Sequence, residues 1–475
     1  MMTPKERMMI APQAMPEQDP SVRARNMNEV ALGYTAEMAM TEAKRCLQCP
    51  TKPCMKGCPV AINIPGFLAK ASEGDFEGAL KIIRETSLLP AVCGRVCPQE
   101  KQCQKFCTMG KALGDIDKAV AIGRVERFCA DLAREKASGE IAPSAPKAAP
   151  TGKRIAIIGS GPASITCAAD CARAGHDVTM FEALHKAGGV LVYGIPEFRL
   201  PKAIVQSEID SLKALGVKIE LNYVVGRTRK IRDFIEKDGF DAVFIGTGAG
   251  LPKFMNIEGE NLVGVFGANE YLTRANLMKA YDENDHDTPC WRGRRVAVLG
   301  GGNVAMDASR MALRLGAEKV YLVYRRSEAE MPARKEEVHH AKEEGVEFLT
   351  LQNAKRILGN DDGFVTALEC LKYELGEPDA SGRRSPVAIK GSEFVLDVDT
   401  VVVAVGNASN PLIPSTTEGL EIDGRGRIIA DPETNMTSIP GVFAGGDIVL
   451  GAATVILAMG EGRRAALGMN RYLAS

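Results

Sequence analysis

Apolar residues along the chain fall into short β-branched runs and longer stretches of helical period, and the two kinds alternate. Residues 155–158 form an apolar run of strand length, 163–174 read as a helix, and 178–181 as a second strand. The same order returns at 296–299, a helix, and 320–324. Such alternation predicts parallel sheets covered by helices. Two further runs, DAVFIGTGA at 241–249 and DTVVVAVGNASN at 399–410, are predicted strands ending in glycine turns. Residues 442–444 form a buried strand capped by Gly445, Gly446 and Asp447, and 454–466 predict a helix. Nearer the N-terminus, 64–89 carries Phe67, Leu68, Ala71, Phe76, Leu80 and Ile83 at helical spacing, the mark of a packed core face. The charged stretch 333–344 is predicted as a helix with its charges, and the adjacent His339 and His340, toward solvent. Gly, Asp and Ser clusters in 360–386 predict surface hairpins.

At 475 residues the chain has room for roughly three domains. Its 59 basic and 60 acidic residues nearly cancel, which gives no general attraction to nucleic acid or to a membrane surface. No apolar run approaches the roughly 18 residues needed to span a bilayer. The first twenty residues, broken by prolines and charges, lack an apolar signal core, so a cytoplasmic location is expected. In that setting the thirteen cysteines change the picture. Eight of them lie in two groups, Cys46, Cys49, Cys54, Cys58 and Cys93, Cys97, Cys103, Cys107, with proline after Cys49, Cys58 and Cys97. Closely spaced thiolates followed by Cys-Pro suit iron–sulfur clusters, four ligands to a cubane. Structural zinc and unligated thiols are the competing explanations. A Pro/Ala/Ser/Gly stretch at 137–153 is the expected boundary of this small helical head.

The first strand–helix–strand unit carries Gly159, Gly161 and Ser164 at the spacing of a dinucleotide-binding turn, and Glu182 ends its second strand. Glycines let the backbone approach a pyrophosphate, the helix N-terminus offers free N–H groups, and the carboxylate can accept ribose hydroxyls. Serine at 164 replaces the usual Gly or Ala but is small enough for helix–strand packing. Gly188, Gly189 and Gly248 are expected where backbone passes close to a flat ligand. Asp447 is placed to accept a ribityl hydroxyl, with Gly446 beside it and Thr454 at the start of a helix aimed at a flavin. These features together predict FAD. Cys167 and Cys171, one turn apart on a helix, are expected as small core residues rather than a redox dithiol. The second unit has Gly300, Gly302 and Ala305 in the fingerprint positions, with Asn303 opening the helix. Its second strand ends not in an acid but in Arg325 and Arg326, which suits the 2′-phosphate of NADP(H). The flavin domain, 148–285 and 396–475, is then split by an inserted NADPH domain, 286–395, and preceded by the head, 1–147.

Over almost its whole length the chain resembles the small (β) subunit of NADPH-dependent glutamate synthase and its relatives. These relatives include the FAD/NADPH subunit of electron-bifurcating ferredoxin:NADP oxidoreductases and the N-terminal half of dihydropyrimidine dehydrogenase. The motifs that carry the resemblance are CLQC…CMKGCP, VCGRVCP, GSGPA, YGIPEFRLPK, LGGGNVAMD, VYRRSEAEMPA and VFAGGD. It implies an α/β flavoprotein of two Rossmann-like domains, like adrenodoxin reductase, behind a helical domain with two [4Fe–4S] clusters. It also implies interleaved ligands: Cys46, Cys49, Cys54 and Cys107 for one cluster, and Cys58, Cys97 and Cys103 for the other. In relatives a Glu or Gln from a later helix completes the second set, which points to Glu126. Cys93 is the competitor, because eight cysteines would make two sets of four. Arg199, in YGIPEFRLPK, is implied near the flavin ring. No side-chain acid or nucleophile stands out, and hydride transfer needs none. The implied activity is transfer of electrons between NADPH, FAD, two clusters and a partner redox subunit. That partner is either a glutamate synthase large subunit or a smaller flavin/[2Fe–2S] subunit, with ferredoxin as a further exchange partner. The rival functions are the FAD/NADP(H) subunit of a bifurcating ferredoxin:NADP oxidoreductase and, from another class, a non-catalytic redox-sensing scaffold.

Overall fold

The structure is a computed structural model that describes residues 2–136, 148–282, 284, 288–378, 382 and 384–474. The expected linker at 137–153 therefore lies largely outside the described residues. Two five-stranded parallel sheets share one plan. The first runs Val442–Ala444, Ala242–Ile245, Arg154–Ile158, Asp177–Phe181, Lys218–Glu220. The second runs Val265–Gly267, Thr400–Val403, Arg295–Leu299, Lys319–Tyr324, Glu347–Thr350. Ile155 pairs with both Val178 and Ala242, and Val296 with both Val320 and Thr400, so the two fingerprint strands are central. Buried on both faces, they read as unbroken apolar runs rather than alternating ones. The helices Pro162–Arg173 and Asn303–Arg314 follow them.

Pairing moves both expected domain seams. Strand Val265–Gly267 and helix Ala268–Asn276 run with the second sheet, as does Thr400–Val403, so the insert is longer than 286–395. Both crossovers pass through one antiparallel ribbon, Leu251–Pro252 against Asn407–Ala408. A three-residue strand between glycines leaves little periodic signal, and DTVVVAV looks the same in either sheet. The hairpins Gln352–Gly359, Val365–Pro378, Arg384–Ala388 and Phe394–Asp397 form as expected, but they are not only surface. Val365, Leu368 and Cys370 pack on Leu299, Val401 and Val403, so this antiparallel sheet covers one face of the second sheet.

In the head, the single helix expected over 64–89 is two, Ile64–Ser72 and Phe76–Arg84. Gly74 (φ +83°) turns the chain, and Asp75 caps the second helix by accepting the Gly78 N–H at 2.9 Å. Phe67, Leu68, Ala71, Leu80 and Ile83 are buried, as their spacing requires. No described helix is long and apolar enough to cross a membrane.

The charged stretch 333–344 is corrected most. Its helix, Lys335–Glu343, buries Glu337 and His340, and Glu344 at its end is buried too. Glu344 receives Arg310 and Arg314 at 2.7 Å each and Arg23 at 3.1 Å, while Arg310 also pairs with Glu337. Arg23 lies on the N-terminal arm, as does Glu17, which stands 3.0 Å from His340 Nε2. Only His339 keeps the surface position expected for both histidines. Arg23 and Glu17 come from sequence more than 300 residues away and Arg310 and Arg314 from about 30, which no local pattern encodes. Burial alone would raise the Glu344 carboxyl, but bonds from Arg310 and Arg314 hold it down at about 2. Its stabilisation is thus fully present above the unfolded carboxyl value near 4.3 and is lost as pH falls toward about 2. Glu344→Ala, which leaves buried Arg314 without a carboxylate and takes one partner from Arg310 and Arg23, should cost about 3–5 kcal/mol in urea unfolding at pH 7. The difference from wild type should shrink between pH 4 and pH 2.

Candidate functional site

The glycines, Glu182 and Asp447 expected at the flavin lie at and around the carboxyl ends of the first sheet. Gly159 (φ +93°) turns directly after its strand, and a Cβ there would stand 2.7 Å from the Gly246 carbonyl. Gly161 caps the helix Pro162–Arg173 and has open space where a side chain would be, so the helix N-terminus is accessible. Ser164 is buried and its hydroxyl donates to the Gly246 carbonyl at 3.4 Å, so serine is accommodated by a bond of its own. Glu182 is held by Ser160 Oγ at 2.5 Å and by the Leu184 N–H at 2.8 Å. Ser160 Oγ in turn accepts the Gly188 N–H at 2.9 Å, which ties the acid to the second glycine pair. Gly189 (φ +55°) brings its backbone against Gly161, where a Cβ would meet Gly161 Cα at 2.8 Å. Gly248 (φ +69°) faces open space, and a Cβ on Gly446 (φ +78°) would meet Ala163 at 2.9 Å. Burial pushes the Asp447 carboxyl up to about 6, against a bond from the Ala453 N–H. Thr454 precedes the helix Val455–Ala474, and its hydroxyl accepts the Leu457 N–H at 3.4 Å.

Sequence reasoning missed three residues here. Ser160 is the link just described. Tyr193 feels both Asp447 and Glu182, and burial drives its hydroxyl up to about 12. Lys202 gathers the loop before it by donating Nζ to the carbonyls of Leu191 (3.1 Å), Leu200 (3.0 Å) and Ile195, while burial lowers it to about 8. A lysine closing the proline-rich loop YGIPEFRLPK was the available signal. Arg199 lies in that loop but turns to the other domain: it pairs with Asp307 at 2.7 Å and Glu337 at 2.9 Å.

The second cleft repeats the first. Gly300 (φ +146°) packs on the Ala404 carbonyl, Gly301 leaves room for the Tyr324 ring, and Gly302 caps Asn303–Arg314. Ala305 is fully buried against the sheet. Asn303 Oδ1 accepts the Arg334 N–H at 2.8 Å and fixes the turn. At the strand end Arg325 is exposed and no described residue pairs with it, whereas Arg326 donates Nε to the Arg384 carbonyl at 2.9 Å.

In the head, Cys46, Cys49, Cys54 and Cys107 line one cavity, walled otherwise by apolar residues such as Ile64 and Leu68. Burial pushes Cys46 up to about 11 and Cys54 up to about 12, so thiolates there require a cationic centre. Cys58, Cys97, Cys103 and Glu126 form a second group, each within the others' electrostatic reach. Burial raises the Glu126 carboxyl to about 8, and its Oε1 is buried without a hydrogen-bond partner. Such an orphan demands an explanation, and a missing ligand partner supplies one. Cys93 borders the same group, sharing a hydrogen bond with Cys97 and feeling Glu126 and Cys58, and its Sγ also lies 3.5 Å from Met459 Sδ. No three described His, Cys, Asp or Glu side chains are arranged for a single metal ion, whereas a cubane takes ligands spread around a group of atoms. Cys167 and Cys171 are fully buried in their helix, as expected for core residues.

A flavin cleft, a nicotinamide cleft of the same build and a cysteine-lined helical head define a two-nucleotide reductase with iron–sulfur clusters. Residues 23–138 match the family described as Dihydroprymidine dehydrogenase domain II, 4Fe-4S cluster, and residues 153–462 match Pyridine nucleotide-disulphide oxidoreductase. The chain is 38% identical over 465 residues to the glutamate synthase [NADPH] small chain of Halomonas elongata, covering 96% of both. It is 41% identical over 444 residues to the NADP(+)-dependent formate dehydrogenase subunit beta of Moorella thermoacetica, covering 89% of this chain but 60% of that longer one. Among solved structures, Mycobacterium tuberculosis FprA in complex with NADPH superimposes with a TM-score of 0.57 at 21% identity, over 68% of this chain and 84% of that one, which shows the shared fold.

The chain belongs to the pyridine nucleotide-disulphide oxidoreductase family, in the group of the NADPH-dependent glutamate synthase small chains. It is an NADPH-dependent iron–sulfur flavoprotein oxidoreductase of that type, with FAD, NADP(H) and [4Fe–4S] clusters as cofactors. Because Gly189 leaves no room beside Gly161, Gly189→Ala should displace the turn. The purified variant should hold less than about a tenth of the wild-type flavin, read from visible absorbance per chain.

Proposed function

We propose that this chain takes electrons from NADPH in its two-nucleotide body and exports them through the head to a partner redox subunit. One set of contacts carries the reading. The second cysteine group abuts the helix Val455–Ala474 that begins at the flavin cleft. Gln102 Nε2 donates to Thr454 Oγ1 at 3.3 Å, Pro59 packs on Gly460, and Cys93 meets Met459. The cavity of the first group touches only head residues. The head is therefore ordered: Cys58, Cys97, Cys103 and Glu126 hold the cluster beside the flavin, and Cys46, Cys49, Cys54 and Cys107 hold the outer one. When bound, the nicotinamide supplies a hydride, the flavin accepts two electrons, and the clusters accept one at a time. The chain's own residues position and bind: Gly161 and Gly302 present helix N-termini to phosphates, Glu182 takes ribose hydroxyls, and Arg325, with Arg326 behind it, takes the 2′-phosphate.

Anaerobic mixing with NADPH tests this directly: the flavin absorbance should bleach within seconds, and a chain that stays yellow ends the reading. Exchanging Arg325 for Asp and Arg326 for Ser should weaken NADPH by about 10–100-fold and NADH far less, as loss of charge-assisted bonds implies. Equal loss for both nucleotides would remove the 2′-phosphate assignment. Glu126→Ala should alter the EPR signal of one cluster and leave the other, whereas Cys93→Ala should leave both. The reverse result would give the ligand to Cys93.

A further inference from the structure

The outer cysteine group is ringed by lysines and by no acid. Lys44 precedes Cys46 by two residues, Lys52 and Lys56 flank Cys54, Lys105 precedes Cys107 by two, and Lys111 follows it by one helical turn. All five are exposed, and no ion pair among the described residues occupies any of them. Residues 43–58 and 101–114 contain no Asp or Glu at all. Carboxylates that adjoin these stretches are engaged, Glu6 by Thr3 among them. Glu42 is buried against Arg45, Asp75 pairs with Lys70 at 3.0 Å, Asp115 stands 3.8 Å from Lys118, and Asp117 stands 3.6 Å from Lys335. In a chain whose charges otherwise cancel, these two stretches carry only positive charge. At its middle Phe106 is 37% exposed, seated on Gly57 with Lys111 Nζ 5.7 Å from its ring centroid. The phenylalanine ties the Lys52–Cys58 loop to the Cys103–Cys107 loop, so the lysines form one patch rather than two.

We propose that this patch is the docking surface for an electron-carrier protein with an acidic face around its own redox centre. The assignment rests on the outward order of the two cysteine groups proposed above and adds the chemistry of the partner. Charge complementarity selects the occupant: a cationic carrier would be repelled, and a neutral one would gain nothing from five unpaired ammonium groups. The apolar ring at the centre, rimmed by charge, is the arrangement that excludes water at the closest approach. Attraction of this kind acts over about 8 Å at physiological salt, so it shows mainly in the association rate and disappears at high salt.

The test uses the full chain with its cofactors and, as probe, a small acidic [2Fe–2S] ferredoxin; cationic cytochrome c is the control. Each NADPH oxidised to NADP+ releases one proton and delivers two electrons, so it reduces two molecules of either acceptor. Lys56→Glu, Lys105→Glu and Lys111→Glu are combined; Lys52 is kept because its backbone is left-handed (φ 44°). Ferredoxin reduction at low salt should fall about tenfold or more and lose its salt dependence, while cytochrome c reduction should not fall. Iron content and flavin bleaching by NADPH should stay at wild-type levels. The matching Lys→Gln triple variant should lie between the two and guards against misfolding. Unchanged ferredoxin rates with the wild-type salt slope would overturn the proposal. So would variants in which the cluster EPR signals move but the salt slope does not, since the lysines would then be counter-charges to the cluster only. Binding of oxidised ferredoxin without NADPH, followed by fluorescence anisotropy, reads the patch even if the flavin fails to bleach, and so separates failure here from failure of the electron-export reading.

Discussion

The relative placement of head, flavin domain and nicotinamide domain depends on one buried ionic cluster. Arg310 sits between Glu337 and Glu344; Arg199 reaches in from the flavin side to Asp307 and Glu337; Arg23 reaches in from the N-terminal arm to Glu344 and Glu343. The ring of Phe198, next to Arg199, lies under the guanidiniums of Arg314 and Arg310 at 3.8 and 4.8 Å. Buried ion pairs are weak sources of net stability, because desolvation cancels much of their attraction. Their directional bonds do something an apolar contact cannot, which is to admit one alignment and penalise slippage. Asp307 lies on the helix whose first residue is Asn303, so the Arg199 pair ties the flavin-side loop to the helix that receives the nicotinamide nucleotide. For hydride transfer, which depends on the approach of two rings, a fixed alignment is worth more than extra stability.

Given that alignment, the two nucleotide domains solve the same problem with the same parts and differ where their ligands differ. Each uses a left-handed glycine to leave the strand and an extended glycine to open the helix. They part at the end of the second strand. Glu182 is buried and pre-oriented by Ser160 and Leu184, which suits hydroxyl recognition at fixed geometry. Arg325 is exposed and unencumbered, which suits a doubly charged phosphate that can order the side chain on arrival. The domains join through a two-stranded ribbon, a connection with few bonds of its own. The ionic cluster therefore carries the alignment that the covalent connection leaves open.

What could be read from the sequence follows from range. Both fingerprints, their flanking strands and the buried face of 64–89 rest on contacts within a few residues, and the structure places them as expected. The short strand at 265–267 and the true seams at 251–252 and 407–408 depend on pairing with distant segments, so no local period announces them; the break at Gly74 is local, a turn and an Asp75 cap inside an otherwise continuous apolar period. The charged helix failed for a sharper reason. Alternating Glu, Lys and His look solvated unless one knows that Arg23, Arg310 and Arg199 converge on them. For the same reason the pairing of Arg199 with Asp307 and Glu337 is not legible in the YGIPEFRLPK loop.

The proposal of Glu126 over Cys93 rests on packing rather than on counting. Cys93 and Cys97 are four residues apart and so share a helical face, and eight cysteines divide evenly by four. Arithmetic and local geometry thus both favour the thiol. Yet Cys93 Sγ already contacts Met459 on the long C-terminal helix, a soft contact that needs no metal. Glu126 is buried on its helix among Ile122, Val125 and Cys129, and one of its oxygens has no hydrogen-bond partner. A neutral thiol is at home in such a place; an acid there either takes up a proton, as its raised value of about 8 implies, or finds a cationic centre. The proposed ligand is therefore the residue that the bare polypeptide tolerates least.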